Sequence, residues 1–218
     1  MSDFTANRKK DLDLVVCTPG SGAPTGKAAS EFAGLVDSYG IMLSREEGAR
    51  LREMPTMHRV AVGTVHIALE AKATMTAHIK ALPRLHDELN SSHMAVHGSS
   101  DMAIAVGFTL VNAASDFVSS DMNKYNLSVR EPEYSYNPQP RSTERTIEKI
   151  RQIPRRTQLG VAGFDAVGIV VIKMKNDGSP VELGTEAPAP DTKDIFHYDH
   201  MIRRIQSLYE GRFGNLLD

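Results

Sequence analysis

The chain has 218 residues, of which 41% are hydrophobic and 24% charged, so it is long enough to bury the core of one globular domain spanning 1–218. No apolar run approaches the roughly 18 residues that cross a bilayer, and the first residues lack the apolar segment of a secretory signal. One cysteine, Cys17, excludes an intrachain disulfide and a cysteine-rich zinc site, and we expect a cytoplasmic protein. The net charge of −2 argues against a protein that coats DNA but not against a nuclease, which needs only a local basic rim.

The first predicted strand is acidic at its start and apolar afterwards. It covers residues 11–17, and the alternation of strand side chains places Asp11 and Asp13 on one face. The Gly-rich segment 18–30 that follows is not a P-loop, because Ser21 and Ala28 stand where that motif requires Gly and Ser or Thr. We therefore predict a flexible loop there.

Two helices are predicted before the central strand. Residues 31–39 favour a helix that ends at Gly40, the usual residue at a helix C-terminus. Ser44 and Glu47 have the spacing of a capping box, which predicts the start of a second, short helix before Pro55.

The central strand is predicted over 60–74. Val65, Ile67 and Leu69 recur at every second position, so Glu70 and Lys72 share the opposite face. Two charges on a core strand have to be paired, exposed or coordinating. One interpretation is metal-assisted hydrolysis, with Glu70 as an oxygen ligand and Lys72 beside the attacking water; the other is a surface ion pair of small effect.

A helix and a buried strand are predicted next. Apolar residues recur at helical spacing after Lys72, with Pro83 kinking the helix or lying near its start; they are Ile79, Leu82, Leu85, Leu89 and Val96. Residues 102–111 are apolar on both faces and predict a strand covered on both sides. His93 and His97 are four residues apart, as in helical zinc pairs, but no third ligand stands at a defined spacing, so we favour ordinary polar or capping roles.

The second half of the chain predicts an arm followed by three elements. Residues 112–141 contain tyrosines and prolines with little apolar periodicity, which indicates an extended loop or arm. Ser142 is predicted to cap a helix that ends before Pro154. A strand is expected over 164–175, a loop over 182–191 and a final helix over 194–209. Six basic residues also gather in one segment: Arg141, Arg145, Lys149, Arg151, Arg155 and Arg156.

The acidic strand with Asp13 and the Glu70-x-Lys72 strand, followed by a helix, resemble the PD-(D/E)xK nuclease superfamily. The resemblance implies an α/β fold of the restriction-endonuclease type, a mixed central sheet flanked by helices, here with an abbreviated N-terminus. It also implies that Asp13 and Glu70 hold Mg²⁺, for which Mn²⁺ can substitute, while Lys72 assists the water. Asp11 is the fallback metal ligand, and residues 18–55 are an insertion between the two site strands.

Within that superfamily the two strands are similar to those of antiphage effector endonucleases, which favours a restriction or antiphage effector endonuclease acting on double-stranded DNA. Holliday-junction resolvases and repair nucleases share the same site. The partners expected are DNA and further copies of the chain, with the arm over 119–141 in or near the interface of a homo-oligomer, and no membrane. Two alternatives stay open: a catalytically inactive nucleic-acid-binding or assembly protein of the same fold, and an unrelated α/β protein with a chance E-x-K.

Overall fold

The computed structural model describes residues 2–3, 8–21 and 31–214. The chain divides into two compact units, one made of Met1–Val16 with His66–Asp218 and the other of Cys17–Val65. The second unit contains the whole of the predicted insertion 18–55. Part of the predicted Gly-rich loop, residues 22–30, lies outside the described residues.

The described secondary structure alternates strands and helices along the chain. The strands are β1 (Ser2–Asp3), β2 (Arg8–Lys9), β3 (Leu14–Pro19), β4 (Val62–Thr74), β5 (Ile104–Asn112), β6 (Asp116–Val118), β7 (Tyr134–Tyr136), β8 (Ala166–Lys173) and β9 (Glu182–Gly184). The helices are α1 (Leu35–Tyr39), preceded by a 3-10 turn over Phe32–Gly34, then α2 (Arg45–Glu53), α3 (His78–Ser99), α4 (Arg141–Arg151) and α5 (Tyr198–Phe213).

The principal sheet has the strand order β3-β4-β5-β8-β9. The pairs β4–β5 and β5–β8 are parallel, and β9 runs antiparallel to β8. β3 runs antiparallel to β4, since the Asp13 carboxylate contacts the Ala71 amide while the Gly20 amide bonds to the Ala61 carbonyl. The protein is therefore α/β with a mixed five-stranded sheet, as the sequence predicts at that level.

Helices cover both faces of this sheet. On one face Lys72 of β4 forms an ion pair with Glu88 of α3. On the other face Ile67 and Leu69 pack against a buried cluster that includes Met201 of α5. β5 lies between the two helix layers and is buried on both sides, which confirms its prediction as a covered strand.

Polar residues tie together both ends of the parallel strands. At the carboxyl ends, the Asn112 amide nitrogen donates to the carbonyl oxygens of Met75 and Met174, at 3.0 and 2.7 Å. At the opposite ends, buried Asp165 accepts from Arg156 at 3.0 Å and from Arg212 of α5 at 2.6 Å. Burial alone would raise the pKa of Asp165, but these two arginines and the Ala105 amide hold it below its usual value.

The helix starts show where local sequence decides structure and where it does not. The predicted capping box is confirmed, because the Ser44 hydroxyl accepts from the Glu47 amide and the Glu47 carboxylate accepts from the Ser44 amide. The predicted cap at Ser142 is wrong: α4 begins at Arg141, its N-cap position is Pro140, two residues before Ser142, and Ser142 is buried inside the first turn. The side-chain oxygen of Gln139, the residue before Pro140, accepts a hydrogen bond from the Thr143 backbone amide instead.

Two predicted loops contain strands. In the segment 182–191, residues Glu182–Gly184 form β9, which pairs with the end of β8. In the arm 112–141, β6 and β7 pair as a short antiparallel ribbon. Glycine, proline and serine in these segments predict loops locally, but pairing with a neighbouring strand overrides weak β-propensity.

The close packing of α5 on β8 gives a test of this architecture. A Cβ atom added at Gly168 would lie 2.5 Å from the Met201 sulfur, whereas one added at Gly211, within α5, would meet nothing within 4 Å. We expect Gly168→Ala to lower the free energy of unfolding by about 1–3 kcal/mol through overpacking. Gly211→Ala should raise it by about 0.5–1 kcal/mol through helix propensity. Urea unfolding of both variants measures this, and equal stabilities would contradict the packing described.

Candidate active site around Glu70

The structure brings Asp13 to the strand that carries Glu70 and Lys72. Asp13 lies directly before β3, and its Oδ2 accepts a hydrogen bond from the backbone amide of Ala71 at 2.7 Å. Ala71 is the residue between Glu70 and Lys72, so the acid from one strand and the E-x-K of its neighbour meet at one place. The alternation of β4 turns both Glu70 and Lys72 towards α3.

Glu70 is a buried carboxylate, with only 2% of its surface exposed. Its Oε1 lies 2.6 Å from the Lys72 ammonium and 3.5 Å from that of Lys10. Its Oε2 is buried and has no hydrogen-bond partner among the described residues. Since removing a carboxylate from water without a nearby cation is very unfavourable, the ammonium groups of Lys72 and Lys10 compensate the burial of Glu70.

Lys72 is held in its charged form. Partial burial lowers the pKa of its ammonium, but the hydrogen bond and charge of Glu70, with a further contribution from Glu88, outweigh burial and raise the pKa above its usual value. Glu88 in turn has a lowered pKa, first because Arg84 donates a hydrogen bond to it and then because Lys72 lies nearby. Lys72 therefore carries a positive charge throughout the neutral pH range.

Lys10 and Glu88 belong to this cluster although the sequence did not single them out for it. The Lys10 ammonium donates to the Glu88 carbonyl oxygen at 2.5 Å and to the Ser91 hydroxyl at 3.0 Å, both on α3. Lys10 stands three residues before Asp13 and is the last of three consecutive basic residues, Arg8, Lys9 and Lys10, so this basic run was a usable signal. No sequence signal pointed to Glu88, because its contact with Lys72 depends on how α3 packs on the sheet.

Asp11 takes a different position from the one that strand alternation predicts. β3 begins at Leu14, so Asp11 and Asp13 both precede the strand, and the argument that places them on one strand face does not apply. Asp11 is exposed. None of the described contacts joins it to Glu70 or Lys72.

The residues present suit a cation that needs few protein ligands. Among the described residues no group of three or more His, Cys, Asp or Glu side chains is arranged to hold a metal ion. Mg²⁺ commonly uses one or two carboxylates and completes its shell with water and substrate phosphate oxygens. Asp13 and the unpartnered Oε2 of Glu70 fit that smaller set of ligands.

The basic segment that the sequence gathers near α4 does not form one surface. Arg156 is fully buried and pairs with Asp101 and Asp165. Arg151 pairs with Asp194, and together with Arg155 it lies over the ring of Phe196. These three arginines are engaged in contacts within the protein. The exposed arginines of α4, Arg141 and Arg145, alternate with the exposed Glu144 and Glu148.

His93 and His97 are core residues of α3. His93 packs edge-on against Phe164, with its Nε2 2.9 Å from the Asn90 side-chain oxygen. The His97 Nε2 donates to the Gly163 carbonyl oxygen at 2.9 Å. Burial is the main cause of a lowered pKa in both imidazoles; His97 and then Arg156 lower that of His93 further, and Arg156 lowers that of His97 further. Each ring keeps a buried Nδ1 without a partner among the described residues.

Comparison with known proteins found no matching family model, no matching curated protein and no matching solved structure. Within the described ranges, no helix is long and apolar enough to cross a membrane.

The coupling energy between the Glu70 carboxylate and the Lys72 ammonium can be measured by a double-mutant cycle. We expect Lys72→Met to lower the free energy of unfolding by about 1–3 kcal/mol, because it removes the 2.6 Å partner of a buried charge. Adding Glu70→Gln should recover part of that loss, since the buried charge is then gone. Lys193→Met, at an exposed loop position, serves as the matched control. Additive effects of the two site changes would contradict a coupled pair.

The buried His93 predicts a pH dependence of stability. Burial first, then the charges of His97 and Arg156, lowers its pKa from 6.5 to about 4, so the folded state favours the neutral imidazole. The stability that depends on neutral His93 is fully present above pH 6.5. It is lost as the pH falls towards 4, and the free energy of unfolding decreases by up to about 3 kcal/mol.

Denaturant unfolding at several pH values tests this against His93→Gln. The variant should be destabilised relative to the wild type at pH 7.5, and the difference should shrink towards pH 4.5. His86→Gln, on the same helix but partly exposed, is the control. A wild-type advantage that stays constant with pH would exclude His93 as the titrating group.

Proposed function

We propose that this protein is a Mg²⁺-dependent endonuclease that hydrolyses phosphodiester bonds of double-stranded DNA, of the restriction or antiphage-defence type. The observation that carries the proposal is the hydrogen bond from the Ala71 amide to the Asp13 carboxylate, which fixes an acid beside Glu70 and Lys72. A surface ion pair, the alternative for an E-x-K strand, does not account for a carboxylate as buried as Glu70.

The strand arrangement supports the PD-(D/E)xK resemblance. The strand after Asp13 is antiparallel to the strand carrying Glu70, which is followed by helix α3 and then by the parallel strand β5. This is the order of acidic strand, E-x-K strand, helix and apolar strand on which the resemblance rests. We propose the restriction-endonuclease-like fold on that basis.

Each residue of the site has a role in this proposal. Asp13 and Glu70 would hold Mg²⁺ or Mn²⁺, with Asp11 as a further candidate. When bound, the cation would neutralise phosphate charge and lower the pKa of a water ligand. Lys72, whose raised pKa keeps it protonated, would stabilise negative charge on the phosphate oxygens and orient the water, rather than take a proton from it.

DNA and further copies of the chain are the proposed partners. Cutting both strands of a duplex requires two sites or a repositioning step, and one chain contributes one E-x-K site. A symmetric dimer supplies two sites. The segment 119–141 offers exposed Tyr136 for such a contact, as aromatic residues are enriched in interfaces.

One observation supports the alternative function, a catalytically inactive nucleic-acid-binding or assembly protein of the same fold. Glu70 Oε1 is already compensated by Lys72 and Lys10, so the buried charge does not depend on a cation for its stability. A protein that binds DNA equally well with and without Mg²⁺, and never cleaves it, would fit this second function.

The enzymatic proposal predicts cleavage of plasmid DNA that requires Mg²⁺ and stops on addition of EDTA. We expect Glu70→Gln and Lys72→Ala each to lower the cleavage rate by about 10²-fold or more, as expected for groups acting on the transition state. The measurement is conversion of supercoiled to nicked and linear DNA over time.

Glu70→Gln should keep its fold by circular dichroism, because it removes a buried charge without changing shape. Lys193→Ala, which makes the same charge change as Lys72→Ala at an exposed position, should cleave at the wild-type rate. Cleavage by Glu70→Gln at the wild-type rate would exclude Glu70 as a required ligand and end the proposal in this form.

A further inference from the structure

The Lys72 ammonium lies between two carboxylates that belong to different elements. It is 2.6 Å from Glu70 Oε1 on its own strand and 3.4 Å from Glu88 Oε2 on α3. The two acids differ in their access to solvent, because 2% of the Glu70 side chain is exposed and 32% of the Glu88 side chain. Glu88 therefore offers Lys72 a second, more solvated partner.

The main chain of Glu88 is held in place at this turn of α3. Its carbonyl oxygen accepts hydrogen bonds from the Lys10 ammonium at 2.5 Å and from the hydroxyls of Ser91 and Ser92 at 2.9 and 2.7 Å. Lys10 belongs to the segment that leads to Asp13, so its hydrogen bond joins this turn to the acidic strand. The position of Glu88 at the site is thus set by contacts that leave its own carboxylate available.

The Glu88 carboxylate is oriented by a second cation. Arg84, four residues earlier on α3, donates to its Oε1 at 2.5 Å, while Oε2 faces Lys72. The hydrogen bond from Arg84 is the main reason why the pKa of Glu88 lies below its usual value, so the carboxylate is ionised at neutral pH. An exposed helix pair of this kind adds little stability by itself. Its effect here is to direct a charged oxygen towards Lys72.

A divalent cation held by Asp13 and Glu70 would oppose the present position of Lys72. The ammonium lies nearer to Glu70 than to Glu88, and like charges repel most strongly where burial reduces screening by solvent. A lysine needed at the reacting phosphate has to remain close without pairing with Glu70 alone. Glu88 Oε2 is a carboxylate oxygen within its reach.

We propose that Glu88 is a positioning residue of this site, which takes over the Lys72 ammonium when Glu70 binds a divalent cation and so keeps Lys72 beside the reacting groups. The inference rests on the proposed function, because it requires the cation site of Asp13 and Glu70. Glu88 lies outside the acid and E-x-K pattern. It acts through Lys72 and contacts neither the cation nor the substrate.

Binding of Mn²⁺ alone tests this role without DNA. Free Mn²⁺ has a sharp electron paramagnetic resonance signal that is lost on binding, so a titration gives the dissociation constant directly. We expect Glu88→Gln to raise this constant by about 5-fold or more, because Lys72 then stays with Glu70 and opposes the cation there. Asp87→Asn makes the same charge change at the neighbouring, exposed position of α3 and should leave the constant within about 2-fold.

A second titration, in the Lys72→Met background, separates positioning from a direct effect of charge. Lys72→Met removes the group through which Glu88 acts, so adding Glu88→Gln should then change the constant by less than about 2-fold. Circular dichroism establishes that each variant is folded. An equal effect of Glu88→Gln in both backgrounds would show that its charge acts on the cation directly, and this would overturn the positioning role.

The outcomes for this role and for DNA cleavage can be told apart. Equal Mn²⁺ binding by the wild type and Glu88→Gln overturns the role of Glu88, whatever the cleavage rate. Weaker binding by Glu88→Gln but not by Asp87→Asn, in a protein that leaves plasmid DNA intact, supports the role of Glu88 and overturns the endonuclease proposal. A wild-type protein that takes up no Mn²⁺ overturns both.

Discussion

The burial of Glu70 is the constraint on which the rest of the site depends. Burying a carboxylate to 2% exposure is unfavourable unless cations lie close to it, and here two ammonium groups do so, Lys72 on the same strand and Lys10 on the segment before β3. Lys10 and Lys72 also contact Glu88 of α3, so compensating the charge links the N-terminal segment, β4 and the helix. Glu70 thus connects three elements through one carboxylate oxygen, while its other oxygen has no hydrogen-bond partner among the residues that the structure describes.

Local sequence patterns were sufficient to predict much of the fold. The alternation along β4 identified Glu70 and Lys72 as neighbours on one face, the apolar run of β5 predicted burial on both sides, and the Ser44 capping box is present as expected. Each of these signals comes from residues within a few positions of one another. In each of these cases the local pattern agrees with the tertiary packing that the element meets in the fold.

The features that sequence reasoning missed depend on contacts between distant residues. Glu88 joins the site only because α3 crosses β4, and β9 forms only because β8 offers it an edge. The basic segment near α4 illustrates the same point, since Arg156 is a fully buried partner of Asp165 rather than part of a DNA-facing surface. Charge and propensity along the chain do not encode these pairings.

The central claim is that Asp13 and Glu70 together hold a divalent cation, and anomalous diffraction tests it most directly. Crystals equilibrated with Mn²⁺ would be measured at the manganese absorption edge, with Glu70→Gln crystals as the reference. The account predicts an anomalous peak in contact with both carboxylates that is lost in the variant. A map from saturated crystals with no peak between Asp13 and Glu70, or with one that persists in Glu70→Gln, would contradict it.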